Sequence, residues 1–99
     1  MESLKSSTYS SSFSSSYVPA CVVITALYSR TTEKYGDRGK ERYVPMDAGG
    51  SAQNVHLQAK ALGLSTYPIG AFRDQKVKEV LGIEETSQVP MFIIPVGRD

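Results

Sequence analysis

Gly63-Leu64-Ser65-Thr66-Tyr67-Pro68-Ile69-Gly70-Ala71-Phe72 stands between an apolar-periodic segment and a short charged one. Gly63 falls where a helix C-terminal glycine belongs, and Leu64 to Tyr67 reads as short and extended. Pro68 and Gly70 then punctuate the chain. Pro68 has no N–H and a fixed φ; Gly70 has no Cβ, so a flat ligand can approach its backbone closely. Alone this is an ordinary turn. Its neighbours make it the joint of a mixed fold.

Upstream, Asp47 to Leu62 is the best helix. Ala48, Ala52, Val55, Ala59 and Leu62 recur at three- and four-residue steps and draw one apolar face. Asp47 is the expected N-cap. Gly49 and Gly50 in the first turn each cost about 1 kcal/mol relative to alanine, which close packing, a nearby ligand or a frayed start would explain. His56 reads as a surface or hydrogen-bonded histidine rather than a catalytic base, because no acidic orienter or nucleophile stands near it. Before this helix, Ser29 to Tyr43 carries mixed charge and two glycines and reads as a solvated loop with Tyr35 and Tyr43 at its ends.

The run Val18 to Tyr28 is continuously apolar and rich in β-branched residues, the pattern of a strand covered on both faces. Cys21 within it reads as a buried, inert thiol, with a reactive thiol the alternative. Downstream, Asp74 caps a second helix whose apolar face is Val77, Val80 and Leu81, and Gly82 stops it. Val89 to Val96 is a second apolar strand. Pro90 and Pro95 remove two donors, which places it at an edge or pairs it along only part of its length.

The expected fold is α+β, with strands near Ala20–Leu27 and Met91–Val96 and helices near Ala48–Leu62 and Gln75–Leu81. Residues 1–17 are serine-rich and bury too little to offset their ordering entropy, so they read as a disordered or loosely attached tail; residues 18–99 form the folded part. The length allows one small domain with a thin core, burying roughly 60–65% of its unfolded surface. Two strands covered on both faces need more protein than these elements supply, which implies a partner chain or a missing segment and an associating molecule.

Lysine and arginine total 11 against 10 acidic residues and are spread along the chain, which argues against nucleic acid. A single cysteine excludes an internal disulfide, and no Cys/His spacing suits zinc, so no metal is expected. The longest apolar run is too short to cross a bilayer, and no apolar stretch follows the N-terminal lysine as a secretory signal would require. The expected setting is the cytoplasm, with no membrane partner.

Between Tyr35 and Arg98 the chain holds, in order, Tyr35-Gly36-Asp37-Arg38-Gly39, Arg42-Tyr43-Val44, Asp47-Ala48-Gly49, Ala52-Gln53-Asn54 and Gln58-Ala59. The series continues through Ala61-Leu62-Gly63-Leu64, Pro68-Ile69-Gly70-Ala71-Phe72, Leu81-Gly82, Pro90 and Ile94-Pro95-Val96-Gly97-Arg98. Single pieces are weak; their shared order is the specific signal. In that order they resemble the C-terminal half of the FMN-dependent nitroreductase family, in its SagB-type branch, which includes azoline dehydrogenases.

The resemblance implies half of a nitroreductase-like domain and a flavoprotein oxidoreductase, truncated or one half of a split enzyme. It would pass hydride through FMN between NAD(P)H and a small-molecule substrate. It sets Pro68 and Ile69 near the flavin ring, turns the N–H of Gly70 or Ala71 toward flavin N5, and brings Arg98 to the phosphate. No catalytic side chain follows from it. Partners would be a second copy, since the family is dimeric, or a complementary N-terminal half. The sequence departs from the family in three places: no Arg-rich N-terminal segment is present, Gly50 stands where the branch often has histidine, and Gly39 to Arg42 is one residue longer than the usual pattern. A non-catalytic remnant or interaction module docking on a partner chain is the alternative.

Overall fold

The computed structural model describes residues 2–9 and 18–98. In chain order these form α1 (Glu2–Ser7), β1 (Ala20–Ala26), α2 (Ser29–Tyr35), a π-helical turn (Gly39–Tyr43), α3 (Val44–Ala61), β2 (Leu64–Thr66), α4 (Asp74–Leu81) and β3 (Val89–Arg98). The three strands make one antiparallel sheet in the order β1-β3-β2. The α+β class expected from the apolar runs is the one observed.

β3 is the central strand, not an edge strand. Its prolines fit because the pairing is interrupted where each falls. Ile24 pairs with Phe92 and Thr25 with Pro90, so Met91 is the extra residue of a bulge beside Pro90. On the other side, β2 pairs only with Val96 to Arg98, and Ile69 makes an isolated bridge to Ile93. Strand alternation points the Pro95 nitrogen the same way as that of Ile93, into the gap between the bridge and β2. The expectation of pairing along part of the length therefore holds for one side of the strand.

Successive residues of β3 serve two layers. Ile93, fully buried, sits with Leu4, Val18, Ile69, Phe72 and Val77, against which Cys21 and Val23 pack. Ile94, 1% exposed, faces the opposite way, toward α3, whose buried residues are Val44, Ala48, Ala52 and Ala59. Burying each of the two isoleucines contributes about 1.5–3 kcal/mol. The alanine stripe lets the helix lie close to the sheet, as its period implied. Leu62, expected on that face, is 66% exposed, because it is the residue at which the helix ends. In α4 only Val77 of the expected apolar face is fully buried.

Several local expectations are corrected. The polar stretch Ser29 to Tyr43 is helical rather than a loop, with Tyr35 and Tyr43 in edge-to-face contact at 5.0 Å between ring centroids. α3 starts at Val44, three residues before Asp47, so Asp47 lies in its first turn instead of capping it. Pro45 fits there, where an N–H would have no helical partner. Asp74 is likewise the first residue of α4, and extended Arg73 occupies the cap position. Cβ atoms built on Gly49 or Gly50 would meet nothing within 4 Å, so packing inside this chain does not require those glycines.

At the N-terminus, Glu2–Ser7 is a helix that packs on α4 with Leu4 in the core, where a loose tail was expected. The rest of the serine-rich stretch, residues 10–17, lies outside the described residues.

Gly39 is buried, and a Cβ there would stand 3.0 Å from Thr31 Cγ2 and 3.2 Å from the Thr31 carbonyl carbon and the Thr32 nitrogen. Two of these three atoms are backbone and cannot swing aside. Gly39→Ala is expected to destabilise the chain by about 1–3 kcal/mol, read as a lower denaturant midpoint at unchanged slope. Gly50→Ala, where space is open, should not lower the midpoint.

Candidate functional site

The segment Pro68 to Arg73 is a short bridge of backbone held at both ends. At its upstream end, the Ile69 N–H donates to the Ile93 carbonyl at 2.8 Å and the Ile93 N–H donates back at 2.9 Å. At its downstream end, the Tyr9 N–H donates to the Ala71 carbonyl at 3.0 Å and the Arg73 N–H donates to the Ser7 carbonyl at 2.7 Å. These two bonds flank an isolated bridge between Thr8 and Phe72. The Ile69 and Phe72 side chains drop into the core, whereas Pro68, Gly70 and Ala71 are exposed.

Between the two anchors, the N–H groups of Gly70 and Ala71 donate to nothing among the described residues. A Cβ placed on Gly70 would meet no atom within 4 Å, and Gly70 has no positive φ. Among the described residues, Gly70 and Ala71 thus present two backbone donors on an exposed surface where Gly70 carries no side chain and Ala71 only a methyl group. Ile69 anchors this surface through its backbone while its side chain points into the core.

Arg98 is exposed at the far end of β3, paired in register with Leu64. It stands five residues beyond Ile93, about 16 Å along an extended strand. Its guanidinium has no ion pair among the described residues. The fold therefore gathers Pro68 to Ala71 in one place and sets Arg98 apart from them along the same sheet.

Two open clefts lie elsewhere. One of about 220 Å³ lies between the end of β1, the start of α2 and the first turns of α3, with Arg30, Asp47 and Ser51 on its walls. The other, about 420 Å³, is apolar and runs along Val22, Val55, Ala59, Leu62, Leu64 and Val96. His56 does not enter either; its Nδ1 lies 2.7 Å from the Thr66 hydroxyl and ties α3 to β2, as the hydrogen-bonded reading expected. Burial pushes the Cys21 thiol above its usual range, an effect partly offset by positive charge such as Lys5, so the thiolate is disfavoured. No group of three or more potential metal ligands occurs among the described residues, and none of their helices is long and apolar enough to cross a membrane.

Sequence reading singled out Gly70 but missed Ser7 and Tyr9, which hold the segment from the other end of the chain. No local signal marks them, since both bonds use backbone groups.

Residues 16–98 match the model of the nitroreductase family. A Methanocaldococcus jannaschii protein, provisionally named a nitroreductase, is 50% identical over 80 residues, or 81% of this chain and 38% of its own length. A crystal structure of a provisionally named nitroreductase from Anabaena variabilis superposes with a TM-score of 0.71 at 37% identity, over 82% of this chain and 16% of that one. A nitroreductase family protein from Streptococcus pneumoniae gives a TM-score of 0.78 over 98% of this chain and 64% of its own, and at 22% identity that likeness concerns the fold. The architecture is that of a partial nitroreductase-like domain, and the chain spans well under half the length of the curated relative.

Proposed function

The chain belongs to the nitroreductase family, and from that premise we propose that it forms part of an FMN-dependent oxidoreductase. The observation that carries this reading is the pair of N–H groups on the exposed Gly70-Ala71 backbone that donate to nothing among the described residues. Those two donors would meet the ring edge, Pro68 would pack beside it with φ fixed, and Arg98 would take the phosphate, for which a guanidinium is well shaped. Bound FMN supplies the acceptance of a hydride from NAD(P)H or a substrate and its return to an acceptor. The chain's own part is to hold fixed dipoles where negative charge develops, which requires no reorganisation during reaction. The SagB-type likeness of the quoted motifs extends the reading to azoline-type substrates.

The remaining part of the site would come from a second copy or a complementary N-terminal half. Met46 and Leu57 on α3 and Leu62 at its end are each more than half exposed, and Leu62 also lines the apolar cleft. Such a surface is suited to cover by another chain.

The test is quenching of FMN fluorescence by the full chain, alone and with an N-terminal half taken from a full-length relative. Weak quenching alone is expected, because each missing charge-assisted phosphate bond forfeits about 1.5–3 kcal/mol, or one to two decades of affinity. The complementary half should restore tight binding. Absence of quenching under both conditions would overturn the reading in favour of a non-catalytic docking module.

A further inference from the structure

We propose that Leu4 to Tyr9 is a positioning strap for the Gly70 and Ala71 N–H groups, a role that rests on the flavin reading of those groups. The segment lies outside residues 16–98, which match the family model. It is nevertheless bonded directly to the candidate site.

The strap has its own anchor. Leu4 is buried with Phe72 and Val77, and Ser7 is fully buried with its hydroxyl donating to the Leu4 carbonyl at 2.6 Å. From that anchor two backbone bonds reach the candidate segment, Tyr9 N–H to the Ala71 carbonyl and Arg73 N–H to the Ser7 carbonyl. The Arg73 guanidinium lies 5.7 Å from the centre of the Tyr9 ring, an exposed contact that is weak beside the two backbone bonds.

The consequence is geometric. With Ile69 fixed to Ile93, the orientation of the next two peptide groups depends on what holds Ala71 and Arg73. Gly70 has wide backbone freedom, so a segment tied only upstream would sample many orientations. Holding the Ala71 carbonyl toward Tyr9 and the Arg73 N–H toward Ser7 restricts the peptides between them. Donors already fixed in place bind a ligand without the entropy loss of ordering them. The strap is therefore a positioning element: it touches no ligand and acts through the Gly70-Ala71 backbone.

A pair of variants separates the backbone bond from the side chain. Tyr9→Pro deletes the N–H donor, whereas Tyr9→Ala keeps it and removes only the ring. Isotope-labelled full chain is followed by NMR, with the ¹⁵N heteronuclear NOE at Gly70 to Phe72 and the exchange of the Arg73 amide as the first readout. FMN is then titrated while the Gly70 and Ala71 amide shifts are monitored. In Tyr9→Pro the NOE at Gly70 and Ala71 should fall, Arg73 exchange should speed up, and the FMN midpoint should rise about tenfold or more. Tyr9→Ala should stay close to the parent in all three, and the melting temperatures should not track the FMN midpoints.

Parent-like NOE values and Arg73 exchange in Tyr9→Pro would overturn the strap. So would an FMN midpoint shifted equally in both variants. If the parent chain shows no FMN-dependent shift at Gly70 or Ala71 even with a complementary half, the flavin reading fails, and the NOE and exchange results alone decide whether the strap orders the segment.

Discussion

An Ile93→Ala variant loses about 2–5 kcal/mol of stability, the range for truncating a buried isoleucine. Ile93 is fully buried at the centre of the Leu4, Val18, Ile69, Phe72 and Val77 cluster, on the strand that every other strand pairs with. Its backbone bonds to Ile69 survive the substitution, so the loss comes from lost apolar burial and from the cavity left behind. Against a total stability of about 5–15 kcal/mol, this is enough to depopulate the folded state in the least stable case. Val22→Ala is the matched comparison: Val22 is on edge strand β1 and 39% exposed, so its truncation should cost well under half as much. Urea midpoints of the two variants check the ordering, and equal losses would mean that the core is not centred on β3.

Gly70→Val has the largest expected effect on binding. The backbone there has no positive φ and a new Cβ meets open space, so the variant should fold and melt like the parent. A β-branched side chain on that exposed surface would stand between an incoming ring and the Gly70 and Ala71 donors. FMN affinity is expected to fall at least about tenfold, equivalent to 1.4 kcal/mol or more. The comparison is made by fluorescence quenching in the presence of the complementary half, where binding is strongest. Equal quenching by parent and variant would remove Gly70 from the flavin site.

What was legible in the sequence is what local chemistry dictates. The continuous run around Val22 to Ile24 and the Ile93-Ile94 pair read as strands because short β-branched apolar runs favour extended backbone, although only Ile93 and Ile94 are fully covered. Gly63 and Gly82 read as helix ends because both take positive φ, 77° and 72°, where a side chain is strained. The errors arise where a residue type has two uses. Gly36 and Gly39 suggested a loop, yet Gly36 ends a helix and Gly39 admits the close approach of Thr31. Gly39–Tyr43 then forms a π turn, which wraps more chain into each turn than an α-helix does and carries no local sequence signal. Pro90 and Pro95 argued for an edge strand, but a bulge and a three-residue partner strand leave their missing donors without consequence.

The candidate site divides the same way. Pro68 and Gly70 are visible as a turn with an accessible backbone. Which of its backbone groups are bonded among the described residues depends on Ser7 and Tyr9, more than sixty residues earlier, and on Ile93, more than twenty later. Bonds between backbone groups leave no trace in side-chain identity, so no inspection of the turn alone could assign them.

The pairing of β1 with β3 also sets a schedule for synthesis. Ala26 pairs with Val89, 63 residues on, and Ala20 with Val96, 76 residues on. At about 5–20 residues per second on the ribosome, β1 waits roughly 3–15 s for its partner to be made. The α3 helix can form its turns in that interval, because helical hydrogen bonds join residues four apart. β1 cannot form its sheet, and its apolar residues and unpaired edge stay open to other nascent chains. Yield of the folded protein should therefore depend on translation speed and on chaperones that shield Ala20–Ala26.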